Sequence, residues 1–173
     1  MPRHHVAPIP VLGLALALLV AGCGGSDDGS EPGTATVTEI IDGDTIVASI
    51  GGTTENVRLV GIDTPETHHP EIGAECFGEE ATDRIAELIP EGSEVVLLRP
   101  TETRDDYGRL LAWVVRPSDD LLVNLSLVAD GYADILIIQD DLTFEDDLRS
   151  AATAARAADL GLWGACGGPD EPA

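Results

Sequence analysis

The chain has 173 residues, 32 of them acidic and nine basic, and its formal net charge is −23. A protein with this much negative charge repels other polyanions, so the composition argues against generic binding to nucleic acid or to an anionic membrane. The length suffices for one domain with a buried core.

The first 22 residues have the pattern of a removable leader. Arg3 precedes a ten-residue apolar run from Val11 to Val20, which is too short to span a bilayer comfortably but suits a signal peptide. The four residues that end at Cys23 (Val-Ala-Gly-Cys) resemble the lipobox of bacterial lipoproteins. The resemblance implies cleavage before Cys23, a lipid on its sulfur, and an extracytoplasmic protein anchored to the cell membrane. A plain secretory signal with another cleavage site is the alternative.

Composition divides the rest of the chain into three parts. Residues 23–34 contain the anchor cysteine and a tether of Gly, Ser, Asp, Glu, Pro and Thr. We expect one domain over residues 35–166, and a second flexible segment over 167–173.

Only Cys76 and Cys166 remain in the expected domain. In an exported protein a single pair favours a disulfide over a metal site, and no CxxC spacing argues for zinc. Two buried thiols are the alternative.

Five segments rich in β-branched residues predict strands. They are Ala35–Ile41, Thr45–Ile50, Glu55–Ile62, Val95–Leu98 and Leu110–Val115. Asp-Gly at positions 42–43 predicts a hairpin turn between the first two, with Gly43 at positive φ.

Apolar spacing predicts three helices. They cover Gly78–Ile89, Val123–Ala129 and the segment from Phe144 to Ala158. We expect Asn124 to cap the second helix and Gly131 to end it. The apolar run Ile135–Ile138 is compatible with a strand or a helix. A helix after the third strand and helices at the end indicate a small barrel rather than βαβ units.

The segment from Arg58 to Glu66 combines the residue types of an ion-binding site. An apolar strand begins with Arg58 and ends at Asp63, and Pro65 fixes the turn that follows. Carboxylates can hold a hard cation, and an arginine can hold a phosphate. Taken alone, the segment is more often an ordinary strand followed by an acidic turn. The adjacent His68 and His69 are interpreted as solvated loop residues rather than metal ligands.

Several motifs in order extend this interpretation. They are Asp42–Thr45, Arg58–Glu66, Asp106–Arg109, Asn124 and Gly161–Trp163. Together they resemble the staphylococcal-nuclease-like (thermonuclease) family over residues 36–163. The resemblance implies an α+β, mainly β fold: an OB-type five-stranded barrel with three helices, a scaffold that binds oligonucleotides.

The resemblance also implies a metal site. Asp44 and Asp63 match carboxylates that hold a calcium ion, and Thr64 matches the residue whose backbone carbonyl completes the protein ligands. Oxygen donors of this kind suit calcium.

The catalytic residues are likewise implied by the resemblance. Glu66 matches the acid that activates or orients water, and Arg58 and Arg109 match the arginines that grip the scissile phosphate. Tyr107 matches a substrate-binding residue. Such groups stabilise the charge that develops on phosphoryl oxygens.

The implied function is a monomeric, calcium-dependent nuclease acting on DNA, with RNA as a further candidate substrate. Asp106 departs from the family pattern, which has a lysine there, and Ile137 and Gln139 lie where other members have tyrosines. Loss of base stacking predicts weaker substrate binding. The alternative is a non-catalytic OB-fold binding module on the cell surface.

Overall fold

The structure is a computed structural model, and it describes residues 33–67, 73–138 and 143–169. The strands are β1 (Gly33–Ile40), β2 (Thr45–Ile50), β3 (Thr53–Leu59), β4 (Gly61–Asp63), β5 (Glu94–Leu98), β6 (Leu110–Arg116), β7 (Leu121–Leu122) and β8 (Asp134–Leu136). The helices are α1 (Gly78–Leu88), α2 (Val123–Ala129), α3 (Glu145–Ala157) and α4 (Leu162–Ala165).

Five of the strands close into a barrel in the order β3-β2-β1-β5-β6. All neighbours in that order are antiparallel, and a parallel pairing between β3 and β6 closes the barrel. Strand β7 extends the edge at β6, and β4 pairs with β8 in a separate two-stranded sheet. The predicted OB-type barrel with three helices is therefore confirmed, with the four-residue α4 in addition.

One apolar core joins the barrel to helices α1, α2 and α3. Its largest fully buried side chains include Ile46, Leu59, Ile85, Trp113, Leu127 and Leu148. Burying each such side chain contributes about 1.5–3 kcal/mol. The core therefore fixes the ends of the strands, where the predicted site residues lie.

The third predicted strand, Glu55–Ile62, is in fact two strands that belong to different sheets. The chain breaks at Gly61, whose φ of 78° lies in the left-handed region. A side chain there would also collide with the core, since a Cβ atom would lie 2.7 Å from Leu148 and 2.9 Å from Trp113. The break places Asp63 in the two-stranded sheet with β8, while the preceding strand stays in the barrel.

Asn124 does not cap α2, because no side-chain hydrogen bond caps that helix. Its side chain is fully buried instead. The amide oxygen accepts a hydrogen bond from the Val114 N–H at 2.9 Å, and the amide nitrogen donates to the carbonyls of Val60 at 2.9 Å and Ala112 at 3.4 Å. Asn124 thus ties α2 to β6 and to the point where β3 ends. The predicted role of Gly131 is confirmed, with a φ of 79° just after α2.

The hairpin between β1 and β2 forms as predicted, but Gly43 is not at positive φ. Glycine is needed there for close packing instead. A Cβ atom at position 43 would lie 2.7 Å from the hydroxyl of Thr64 and 2.8 Å from the Cβ atom of Ala81. The absence of a side chain lets the loop that contains Asp44 approach the end of β4.

A disulfide joins Cys76, just before α1, to Cys166, just after α4, with an S–S distance of 2.00 Å. The expected pairing of these cysteines is confirmed. No helix within the described ranges is long and apolar enough to cross a membrane. The expected leader, the anchor at Cys23, the two adjacent histidines and Gln139 lie outside the described residues.

Candidate active site

Arg58 lies at the centre of the candidate site, near the end of β3. One guanidinium nitrogen forms an ion pair with the carboxylate of Asp44, and the other donates to Asp63 Oδ1 at 2.8 Å and to the Ile62 carbonyl at 3.2 Å. Only 13% of the Arg58 side chain is exposed. Burial lowers the pKa of the Arg58 guanidinium, and Asp63 opposes that shift. The structure thus brings together three residues that come from two separate sequence motifs.

Asp44 is buried in the loop before β2 and contacts the end of β4. Its Oδ2 accepts hydrogen bonds from the Thr64 backbone N–H at 3.0 Å and the Thr64 hydroxyl at 3.2 Å. Its Oδ1 accepts from the Thr45 hydroxyl at 3.1 Å, and its own N–H donates to Asp42 at 3.0 Å. These contacts connect residues 20 positions apart, so the predicted metal ligands Asp44 and Thr64 are neighbours.

The predicted ligands fit calcium in their chemistry. The carboxylates of Asp44 and Asp63 converge on the same guanidinium, which shows that the two can share one positive charge. Among the described residues, no group of three or more His, Cys, Asp or Glu side chains is arranged to hold a metal. Two carboxylates and a carbonyl from Thr64 would need water to complete the six to eight oxygen ligands that calcium takes.

Glu66 follows β4 and has an exposed side chain. Partial burial and the negative charge of Asp42 raise the pKa of Glu66, while Arg58 acts in the opposite direction. A raised pKa makes a carboxylate a stronger base. Burial also raises the pKa of Asp42, which the sequence predicted only as a turn residue. The predicted base therefore lies in the electrostatic field of both Asp42 and Arg58.

Arg109 lies in the turn before β6 and is oriented by Asp105. Its Nε donates to Asp105 Oδ2 at 2.6 Å, and its backbone N–H donates to Asp105 Oδ1 at 2.8 Å. Burial acts to raise the pKa of Asp105, but the hydrogen bonds from Arg109 bring it below its usual value. Tyr107 is 86% exposed, and its ring centre lies 5.5 Å from the Arg109 guanidinium carbon.

Both arginines line a single cleft of about 260 Å³. Its other lining side chains combine an apolar wall, an acidic rim and one aromatic ring: Leu59, Val60, Ile62, Leu111, Leu136, Ile138, Glu102, Asp105, Asp106 and Tyr107. Ile137 instead packs against the core. The cleft therefore combines two guanidiniums, which can bind an anion, with an aliphatic wall, which can contact an apolar group.

Comparison with known proteins identifies the family to which the chain belongs. Residues 56–165 match the family model described as staphylococcal nuclease homologue. The chain belongs to this family. The matched range contains Arg58, Asp63, Thr64, Glu66 and Arg109, whereas Asp44 lies before it. Asp44 is therefore connected to the site by its contacts with Arg58 and Thr64.

Three relatives illustrate the range of the staphylococcal nuclease homologues. The chain is 33% identical over 129 residues to the SPbeta prophage-derived endonuclease YokF of Bacillus subtilis, covering 74% of this chain and 43% of that protein. It is 33% identical to the endonuclease YncB of B. subtilis, covering 76% and 62%. It is 29% identical to a thermonuclease of Staphylococcus hyicus, covering 75% of each. The chain thus spans less than two thirds of the length of the two Bacillus relatives.

The sequence did not predict two acidic residues that hold other residues of the candidate site in place. Asp105 orients Arg109, and its spacing of two and four residues from the amides that it binds is a local signal typical of Asx turns. Glu75 binds the backbone of Glu66 across nine positions, and no local pattern predicts that contact.

Proposed function

We propose that this chain is a nuclease that hydrolyses phosphodiester bonds of DNA with calcium as its cofactor. The observation that carries the proposal is that Arg58 and Arg109, from separate motifs, line one cleft. Asp44 and Asp63 pair with Arg58, and Thr64 contacts Asp44. Endonuclease and thermonuclease are the names of its relatives, and their activity is extended to this chain as part of the proposal.

The arrangement supports a separate role for each group of residues. The two guanidiniums bind the scissile phosphate and stabilise the charge that builds on its oxygens in the transition state. Glu66 accepts a proton from the attacking water or orients it in line with the leaving oxygen. Calcium held by Asp44, Asp63 and the Thr64 carbonyl would supply further charge stabilisation next to the phosphate.

A DNA digestion assay with the full chain tests this proposal. We expect cleavage in saturating calcium, loss of cleavage with a chelator, and much slower cleavage by Glu66→Gln. The same assay with RNA shows whether the protein also cleaves RNA. DNA binding without cleavage would overturn the proposal in favour of the non-catalytic module.

Calorimetry tests the metal ligands separately from activity. Asp44→Ala removes one carboxylate from the proposed calcium site, so we expect weaker calcium binding than in the unsubstituted protein. Unchanged calcium affinity in a folded Asp44→Ala variant would contradict this ligand assignment.

We further propose that the protein acts outside the cytoplasm as a monomer, attached to the cell membrane by a lipid on Cys23. The support is the leader pattern over residues 1–22 and the four residues that end at Cys23. Cys23→Ser should move the protein from the membrane fraction to the soluble fraction. Retention of that variant in the membrane fraction would contradict lipid anchoring at this residue. Sedimentation of the lipid-free variant tests whether the protein is a monomer.

A further inference from the structure

Glu75 is a buried acid, 6% exposed, that has no part in the mechanism described above. Its carboxylate oxygen Oε2 accepts a hydrogen bond from the Glu66 backbone N–H at 2.8 Å. Its backbone N–H in turn donates to the Glu66 carbonyl at 2.8 Å. Both backbone polar groups of Glu66 are therefore bound by one residue.

The residues that follow Glu75 complete the contact. Gly78 begins α1 and packs on the same peptide, since a Cβ atom there would lie 2.8 Å from the Glu66 carbonyl oxygen and 3.1 Å from the Pro65 oxygen. The Gly78 N–H donates to the Glu75 carbonyl at 3.2 Å. The disulfide at Cys76 ties this segment to the end of the domain.

The need for such a contact follows from the exposure of Glu66. Arg58 is held by two carboxylates, but Glu66 is largely exposed, so the direction of its side chain depends on the backbone from which it extends. A hydrogen bond from an amide to an ionised carboxylate is stronger than one between neutral groups. Burying a carboxylate is costly unless it is hydrogen-bonded, so an acid at position 75 is not an ordinary core residue.

We propose that Glu75 is a positioning residue that fixes the backbone of Glu66 and thereby aims its carboxylate at the attacking water. This inference rests on the proposed function. It assigns to the segment from Glu75 to Gly78 the task of keeping Glu66 in one place, a task that the metal ligands and arginines do not perform.

Two substitutions at position 75 test the proposal. Glu75→Gln keeps an oxygen acceptor of the same size, whereas Glu75→Ala removes it. We expect Glu75→Ala to lower kcat for DNA about 10- to 100-fold, because small misplacements of a catalytic group have effects of that size. KM and calcium affinity should change little, and Glu75→Gln should retain most of the kcat. Glu80→Ala, at an exposed glutamate in the first turn of α1, is the matched control and should leave kcat unchanged.

The interaction with Glu66 gives a second criterion. In a Glu66→Ala background, Glu75→Ala should cause no further loss of kcat, because Glu75 acts through the missing carboxylate. Additive losses, or equal losses in Glu75→Gln and Glu75→Ala, would overturn the proposal. If Glu75→Ala does not fold, Gly78→Ala tests the same contact from the other side and should lower kcat by displacing the Glu66 carbonyl.

Amide exchange separates this proposal from the proposed function. The Glu66 N–H should exchange slowly in the unsubstituted protein and in Glu75→Gln, and rapidly in Glu75→Ala, as measured by NMR. If the unsubstituted protein does not cleave DNA, the proposed function fails while this measurement still decides the contact. An unchanged exchange rate in Glu75→Ala would overturn the positioning role.

Discussion

The two arginines of the cleft have the same predicted role but occupy different regions of the molecule. Arg58 lies in the barrel wall, is 13% exposed and contacts two carboxylates, Asp44 and Asp63. Arg109 lies in a turn, is 31% exposed and contacts one carboxylate, Asp105, beside the exposed ring of Tyr107.

The proposed catalytic role is the same for both arginines, but their burial indicates that Arg58 also stabilises the fold, whereas Arg109 contributes little to stability. The carboxylate of Asp44 is buried and needs a cation, so Arg58 contributes to folding in addition to its proposed role in substrate binding. Arg109 and Asp105 are partly hydrated, and pairs of that kind contribute little to stability. Measurements of stability and turnover should therefore separate the two arginines.

Arg58→Gln should have the largest effect on stability. Removing one partner of a buried ion pair costs about 3–5 kcal/mol, because the other charge stays buried without compensation. We expect a loss of that size in chelator, measured by denaturant unfolding with the disulfide intact. Saturating calcium should restore part of the loss, because an ion bound by Asp44 and Asp63 would replace the missing charge.

Arg149→Gln is the matched control for this measurement, since Arg149 is an arginine on α3 with 52% of its side chain exposed. Its unfolding free energy should change by less than about 1 kcal/mol. Equal stability losses at positions 58 and 149 would show that Arg58 is not the counter-ion on which Asp44 depends.

Arg109→Lys should lower turnover while leaving stability nearly intact. An ammonium group lacks the planar fork that binds two phosphate oxygens at once. Loss of one such donor costs about 10²–10³-fold in kcat, whereas the unfolding free energy should change by less than about 1 kcal/mol. A lysine variant with normal turnover would contradict the two-point contact, and a large loss of stability would remove the contrast with Arg58.

Tyr107→Ala should weaken substrate binding more than it slows the chemical step. The ring is almost fully exposed beside Arg109, so its removal leaves the core untouched. Stacking of a base on an aromatic side chain contributes about 1–3 kcal/mol, which corresponds to a KM roughly 5- to 150-fold higher. Tyr107→Phe keeps the ring and should keep the KM. A normal KM in Tyr107→Ala would show that the aliphatic wall at Leu136 and Ile138 binds the substrate without it.

The barrel could be predicted from the sequence because its strands obey local rules. Alternating β-branched residues locate β1, β2, β5 and β6 to within a few residues, and apolar spacing locates α1, α2 and α3. The break at Gly61 was missed because its cause is non-local. The side chains that exclude a Cβ atom there belong to Trp113 and Leu148, far along the chain.

The site could be predicted only in part, because some of its residues lie in short motifs and others are assembled by the tertiary structure. Arg58 and Asp63 lie in one short motif whose residue types suggest their chemistry, whereas the role of Arg109 is implied by the resemblance to the staphylococcal-nuclease-like family. Asn124 is of a residue type that often caps helices. Its amide instead bonds to buried backbone groups of two strands, and only the tertiary structure brings those groups to it. Glu75 likewise lies near a helix start, where a glutamate is common. Its contact with Glu66 depends on the tertiary structure.

The smallest expected effect concerns the acidic rim of the cleft and encounter with DNA. Asp106 and Glu102 are exposed acids that line the cleft beside Arg109, in a chain of net charge −23. Two unit charges about 10 Å apart in water interact by roughly 0.4 kcal/mol. Asp106→Asn should therefore raise kcat/KM for DNA about twofold in low salt at saturating calcium. The gain should vanish as the Debye length falls from about 30 Å at 0.01 M to about 3 Å at 1 M. Asp83→Asn, at an exposed aspartate on α1, removes the same charge away from the cleft and should have less effect.

For the unsubstituted protein, kcat/KM should rise with monovalent salt before it falls, since screening weakens long-range repulsion before it weakens the contacts of the arginines. A rate that only declines with salt, unaffected by Asp106→Asn, would show that the field of Arg58 and Arg109 governs encounter despite the acidic surface.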